Sequence, residues 1–139
     1  IEHVKLIVES KKGSIDLSLK ALDSNISGNS NHLENIIINI LDNAVKYSKE
    51  NPKIVVSSTN INKDIRLCFE DNGIGMDKNT QKLIFEKFYR EQNGDIHNIK
   101  GHGLGLSYVK KIIDFHNGKI LLESKKGTGT KFYITLKNI

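Results

Sequence analysis

The chain has 139 residues, 37% of them hydrophobic and 27% charged, with one proline and a formal net charge of +5, a composition that supports one domain with its own core and argues against disorder. A single cysteine, Cys68, excludes an internal disulfide and a thiolate zinc set, and no run approaches the roughly 20 apolar residues of a membrane span or the layout of a signal peptide. The basic pairs Lys11-Lys12, Lys110-Lys111 and Lys125-Lys126 are scattered and not interleaved with aromatics, so neither nucleic acid nor direct membrane contact is an expected partner.

In chain order, Glu2 to Lys12 reads as a short helix with Val4, Ile7 and Val8 on one side, ended by Gly13. Ile15, Leu17 and Leu19 alternate with polar residues as a strand does, and a turn at Leu22 to Ser24 leads to a short segment at Ile26. Asn29 or Ser30 caps the next element. From Leu33 through Ile36, Ile37, Ile40, Leu41 and Ala44 the apolar residues recur at helical spacing, predicting a helix to about Tyr47 that Asn51-Pro52 stops. Ile54 to Thr59 and Ile65 to Glu70 form a predicted hairpin around Asn60 to Asp64. Asn79 to Tyr89 is a predicted helix, whereas Glu91 to Gly101 is polar and aperiodic and reads as a mobile lid-like loop. Leu104 to Phe115 is helical up to Asn117-Gly118, and Ile120 to Glu123 with Lys131 to Leu136 make a terminal hairpin around Gly127-Thr128-Gly129. Strand runs interleaved with helices predict an α/β fold, one mixed sheet with helices on one face, occupying 1–139 as a single domain.

Three groups of residues carry chemistry. Asn39 and Asn43 stand one turn apart on the helix, and Lys46 returns to their side at roughly 100° per residue. Amide oxygens serve Mg²⁺, which takes few protein ligands beside phosphate oxygens, and an ammonium suits phosphate; a solvated polar face explains the same pattern. Asp71-Asn72-Gly73-Ile74-Gly75-Met76 places a carboxylate at a strand end before two glycines. A tight turn accounts for it, and so does a base pocket, where the carboxylate accepts from an exocyclic amine and the glycines admit the ring. Gly101-His102-Gly103-Leu104-Gly105-Leu106 opens a helix whose first amides favour phosphate, or is simply a flexible helix start. It is neither a Walker A sequence nor a dinucleotide fingerprint, and no His-Arg-Asp loop of the Ser/Thr/Tyr kinases is present.

Taken together in this order, the segments resemble a known family. Asn39 to Ser48 resembles the N box of sensor histidine kinases, a branch of the superfamily shared with gyrase, a heat-shock chaperone and a mismatch-repair ATPase. Asp71 to Gly75 is similar to the first glycine box, Ile84 to Arg90 to the F box with Lys87 where many members have Pro, and Gly101 to Leu106 to the second glycine box. Gly127 to Phe132 is similar to the terminal hairpin.

The resemblance implies a two-layer α/β sandwich of the Bergerat type with ATP held between the helical layer and a mobile lid. It implies Asn43 as the main Mg²⁺ ligand assisted by Asn39, Lys46 and Arg90 on phosphate, and Tyr47 and Met76 beside the nucleotide. Asp71 would take the adenine amine, supported through a water by Thr130. Gly73 and Gly75 would admit the base, and Gly101, His102 by its backbone, Gly103, Leu104, Gly105 and Leu106 would shape the phosphate loop. Phe85 and Phe88 are read as packing at the base of the lid.

The ATPase branches carry a glutamate where this chain has Asn39, so phosphoryl transfer is expected over hydrolysis. The expected acceptor is a histidine on the dimerisation and phosphotransfer domain of the parent kinase, with a response regulator downstream. None of His3, His32, His97 or His116 sits in a phosphoacceptor motif. The start at Ile1 fits a piece of a longer cytoplasmic protein, whose anchoring in the inner membrane is left open. Two other readings compete: a stand-alone serine kinase of the anti-sigma type, and a non-enzymatic ATP-sensing module.

Overall fold

Val4 and Val8 lie one helical turn apart and are both buried, which fixes the inward face of helix α1 (Glu2–Ser10). The computed structural model describes residues 2–86 and 105–139. Lys12, with φ of 56°, and Gly13 turn the chain from α1 into strand β1 (Ser14–Leu19). Helix α2 (Ser30–Lys46) starts where the Asn29 side chain accepts from the amide of Asn31, a cap worth about 1 kcal/mol. Its buried stripe of Ile36, Ile40, Leu41, Ala44 and Val45 follows the helical period read from the sequence.

Strands β2 (Lys53–Ile61) and β3 (Asp64–Asp71) form the expected hairpin, and Asn62 takes the left-handed conformation at its turn. Asp77 caps the short helix α3 (Lys78–Leu83) by accepting from the amide of Thr80. Bonds from the backbone and hydroxyl of Thr80 hold the Asp77 carboxyl below its ordinary pKa. Helix α4 (Gly105–Phe115) and the hairpin of β4 (Lys119–Lys125) and β5 (Gly129–Leu136) complete the chain.

The five strands form one mixed sheet in the order β1-β2-β3-β5-β4. Only β1 against β2 is parallel; the other pairs are antiparallel. Register places Val56, Phe69, Phe132 and Leu122 in one row across four strands, and next to it Ile54, Asp71, Thr130 and Ser124. The first row is apolar and packs into the core with α1, α2 and α4. The second starts apolar and ends polar, so the inward face of the sheet changes character at one end. The opposite face is solvated and carries the Glu70–Lys131 ion pair at 3.0 Å and Arg66 over the Tyr133 ring at 5.9 Å. This is the two-layer α/β architecture expected, with the helices on one face.

Three expectations need amending. Leu17 and Leu19 point to the helical side in register with Val56 and Ser58, yet they are 59% and 67% exposed. β1 is an edge strand, and the helical layer covers only its first half, where Ile15 packs. Ile26 belongs to no strand and packs on the core as an irregular segment. The helix predicted from Asn79 is realised as α3 ending at Leu83, followed by a turn. Lys87 to Tyr89, and the lid-like stretch from Glu91 to Gly101, lie outside the described residues. Among the described residues no helix is long and apolar enough to cross a membrane.

Candidate nucleotide site

The polar end of the inward sheet face meets the C-terminal end of α2 through the loop after β3, which lies against Tyr47. Asp71 closes β3 with its side chain folded back, its Oδ1 accepting from the amide of Gly73 at 2.8 Å. Burial pushes the Asp71 carboxyl above its ordinary pKa, while the backbone amides of Gly73 and Thr130 pull it down less strongly. A half-buried carboxylate with only part of its acceptor capacity used inside the chain suits a ligand that brings donors.

The loop after β3 lies against two neighbours at once. Ile74 donates to the carbonyl of Tyr47 at 3.0 Å, and Gly127 donates to the carbonyl of Ile74 at 2.6 Å. Two of its glycines are required by this crowding. A Cβ at Gly73 would lie 2.6 Å from the Tyr47 carbonyl oxygen, and one at Gly75, which has φ of +64°, would lie 2.0 Å from that of Lys125. Sequence reading assigned these glycines to admitting a base; what the structure adds is that they let the loop sit between α2 and the terminal hairpin.

On α2, Asn39, Asn43 and Lys46 fall on one half-buried strip. Asn39 donates through Nδ2 to the carbonyl of Asn35 at 2.7 Å, leaving its Oδ1 as the outward acceptor. That oxygen faces the start of α4, where a Cβ on Gly105 would come within 2.8 Å of it. The N box and the second glycine segment therefore meet at Asn39 and Gly105, far apart in sequence. Lys46 lies over the Tyr47 ring at 5.4 Å, and the Tyr47 amide closes α2 by donating to the carbonyls of Asn43 and Val45.

Among the described residues no group of three or more His, Cys, Asp or Glu gathers to hold a metal. The donors that fit a hard cation here are the amide oxygens of Asn43 and Asn39, a set adequate for Mg²⁺ only with phosphate and water completing the shell. Met76 and Leu106 are half-buried and pack against the core cluster at the edge of the site, and Phe85 stacks edge-on to Phe132 at 6.5 Å. Arg90, Gly101, His102, Gly103, Leu104 and Phe88 lie outside the described residues.

Thr130 is buried and stands opposite Asp71 in the ladder, but its hydroxyl meets Ser124 Oγ at 2.9 Å. Sequence reading missed Ser124, Gln81 and Lys49. Ser124 Oγ also accepts from the amide of Met76, Gln81 Nε2 donates to the carbonyls of Met76 and Ser124, and Lys49 Nζ donates to the carbonyl of Gly127. The one signal for Ser124 was its inward place in the alternation of β4, one residue past the strand predicted from sequence. Gln81 and Lys49 carried none, since surface helices and loops abound in such residues.

A half-buried carboxylate beside crowded glycines, a helix strip with two amide side chains and a glycine at the start of α4 fit a nucleotide site of the ATPase kind. The family of histidine kinase-, DNA gyrase B-, and HSP90-like ATPases matches residues 28–138, and the chain belongs to it, as the ATP-binding catalytic domain of a histidine kinase. Sensor protein RprX of Bacteroides fragilis is 44% identical over 138 residues, 98% of this chain and 27% of that protein. The signal transduction histidine-protein kinase ArlS of Staphylococcus haemolyticus is 35% identical over 121 residues, 87% of this chain and 26% of ArlS. The chain thus spans about a quarter of the length of these relatives. The mycobacterial sensor histidine kinase MprB superposes with a TM-score of 0.79 at 25% identity, covering 99% of this chain and 92% of that one.

Proposed function

We propose that the chain binds Mg-ATP at the junction of α2, the loop after β3 and the start of α4, and transfers the γ-phosphoryl group to a histidine on a separate dimerisation domain of its parent. Asp71 receives the exocyclic amine of adenine, and Gly73 and Gly75 keep the loop close enough for the ring to reach it. Asn43 with Asn39 holds Mg²⁺, which when bound neutralises phosphate charge. Lys46 lies on the same strip for the phosphates, and Arg90 is assigned to the γ-phosphate on its place in the F box.

Asn39 carries the choice of reaction. Its amide is tied to the Asn35 carbonyl and presents an acceptor to Gly105, but an amide does not take a proton from water as a carboxylate does. Water is therefore a poor nucleophile in this site. An imidazole nitrogen brought by the parent needs no such base: it attacks the γ-phosphorus, the bond to the bridging oxygen breaks, ADP leaves, and the ring loses its proton to solvent. Positioning and charge neutralisation suffice for that step. We place the domain in the cytoplasm, with a response regulator as the onward acceptor.

The test is the chemistry of the product. Mixed with its parent's dimerisation domain and ATP, the chain should yield an acid-labile, base-stable phosphoprotein. An acid-stable phosphoserine would favour a serine kinase, and rapid phosphate release without an acceptor would favour an ATPase. Binding with neither would favour a sensing module.

A further inference from the structure

Three backbone and side-chain groups converge on the hydroxyl of Ser124, at the polar end of the sheet's inward face. Ser124 Oγ accepts from the Met76 amide at 2.8 Å and lies 3.0 Å from the carbonyl oxygen of Gly129 and 2.9 Å from Thr130 Oγ1. A serine hydroxyl has one hydrogen to give and two lone pairs to fill. Gly129 O accepts only, so the Ser124 hydrogen must go to it if that contact is a hydrogen bond. Thr130 is then the donor to Ser124. In this assignment all three contacts are satisfied and Ser124 Oγ is saturated. The other hydroxyl direction leaves the Gly129 carbonyl facing an oxygen with no hydrogen between them.

We infer that Ser124 is a specificity-determining positioning residue: by taking the Thr130 hydrogen it leaves Thr130 Oγ1 an acceptor only, so that Thr130 and Asp71 offer a two-acceptor wall to the base. The inference rests on the ATP reading of the site. An exocyclic amine, with two hydrogens to donate, suits that wall directly or through a water, and a 6-oxo base does not, because its oxygen would meet acceptors. Unpaired buried acceptors are costly, which gives such a wall its discrimination. The same hydroxyl fixes the loop that follows Asp71 at the end of β3. Gln81 Nε2 holds the carbonyl of Met76 at 3.0 Å and that of Ser124 at 3.0 Å, so both polar groups of the Met76 backbone are clamped to β4.

The experiment compares ATP with ITP, which differ in the amine and the adjoining ring nitrogen, by calorimetry on the 139-residue chain. The wild-type chain should prefer ATP by at least about ten-fold, the scale of a hydrogen bond to a charged group. Ser124→Ala frees the Thr130 hydroxyl to donate, and should narrow that preference about five-fold, the scale of one neutral hydrogen bond. Thr130→Val should narrow it similarly, and the double variant no further, because both changes remove the same oriented hydroxyl. Ser124→Cys, a weak acceptor of similar size, should shift the preference in the same direction and serves if the alanine variant does not fold. A preference unmoved in the Ser124 variants, equal losses for both nucleotides, or additive effects in the double variant would overturn the role of Ser124 while leaving ATP binding intact. Failure of the wild-type chain to bind ATP overturns the nucleotide reading itself, and the Ser124 inference with it.

Discussion

Asp71→Asn separates the pocket's electrostatics from its architecture. The Asn side chain keeps an oxygen, so it still accepts from the Gly73 amide as Asp71 Oδ1 does at 2.8 Å, and the loop should stay docked. What changes is the second oxygen, which becomes an NH₂ facing the adenine amine, donor against donor. A hydrogen bond to a charged group is worth about 1.5–3 kcal/mol, so ATP affinity should fall about 10- to 150-fold. Calorimetric titration with Mg-ATP measures it. Stability should move the other way or not at all. The folded-state pKa of Asp71 is raised, chiefly by burial, so its contribution is fully present below the unfolded-state pKa and is lost as pH rises through the folded one. At neutral pH the wild type therefore carries the cost of a half-buried charge that the variant lacks, and the variant should melt no lower. Acidification should weaken ATP binding by the wild type through a step above the usual carboxylate range, and that step should vanish in Asp71→Asn. Undiminished ATP affinity in the variant, or an acid step that survives in it, would refute the reasoning.

The remaining predictions concern metal, backbone and core. Asn43→Ala should abolish the dependence of ATP binding on Mg²⁺, because Asn39 alone is left on the strip; titration with and without Mg²⁺ reads this out, and an unchanged dependence counts against the metal assignment. Gly75→Ala combines a positive φ with a Cβ placed 2.0 Å from the Lys125 carbonyl, so it should cost more than the roughly 1 kcal/mol of left-handed strain alone, measurable by denaturant unfolding. Ile40→Ala, at a site 1% exposed in the middle of α2, should cost about 2–5 kcal/mol by the same method; a loss below 1 kcal/mol would mean that the core is not packed as described.

The sequence alone carried most of the elements and the placement of several candidate site residues on them, because both rest on local signals. Helical periodicity marks the buried stripe of α2, and that stripe in turn fixes Asn39, Asn43 and Lys46 on a common strip. Alternation and turn residues marked both hairpins, and the carboxylate followed by glycines marked the end of β3. These patterns survive in one dimension since each depends on residues within a few positions of one another.

What only the tertiary structure decided depends on which element lies beside which. The same alternation that buries Ile15 leaves Leu17 and Leu19 exposed, because burial of an edge strand is set by how far the helices above it reach. Gly105 meets Asn39 across the helical layer, and Gly73 and Gly75 are required by the Tyr47 and Lys125 carbonyls and not by the turn alone. Ser124 shows the limit most clearly. A serine in a strand is ordinary in sequence, and its place at the junction of Met76, Gly129 and Thr130 arises only when the terminal hairpin folds under the glycine loop. Hydrogen bonds between segments so far apart leave no periodic trace, since their geometry is set by sheet register and loop docking, which no local pattern encodes.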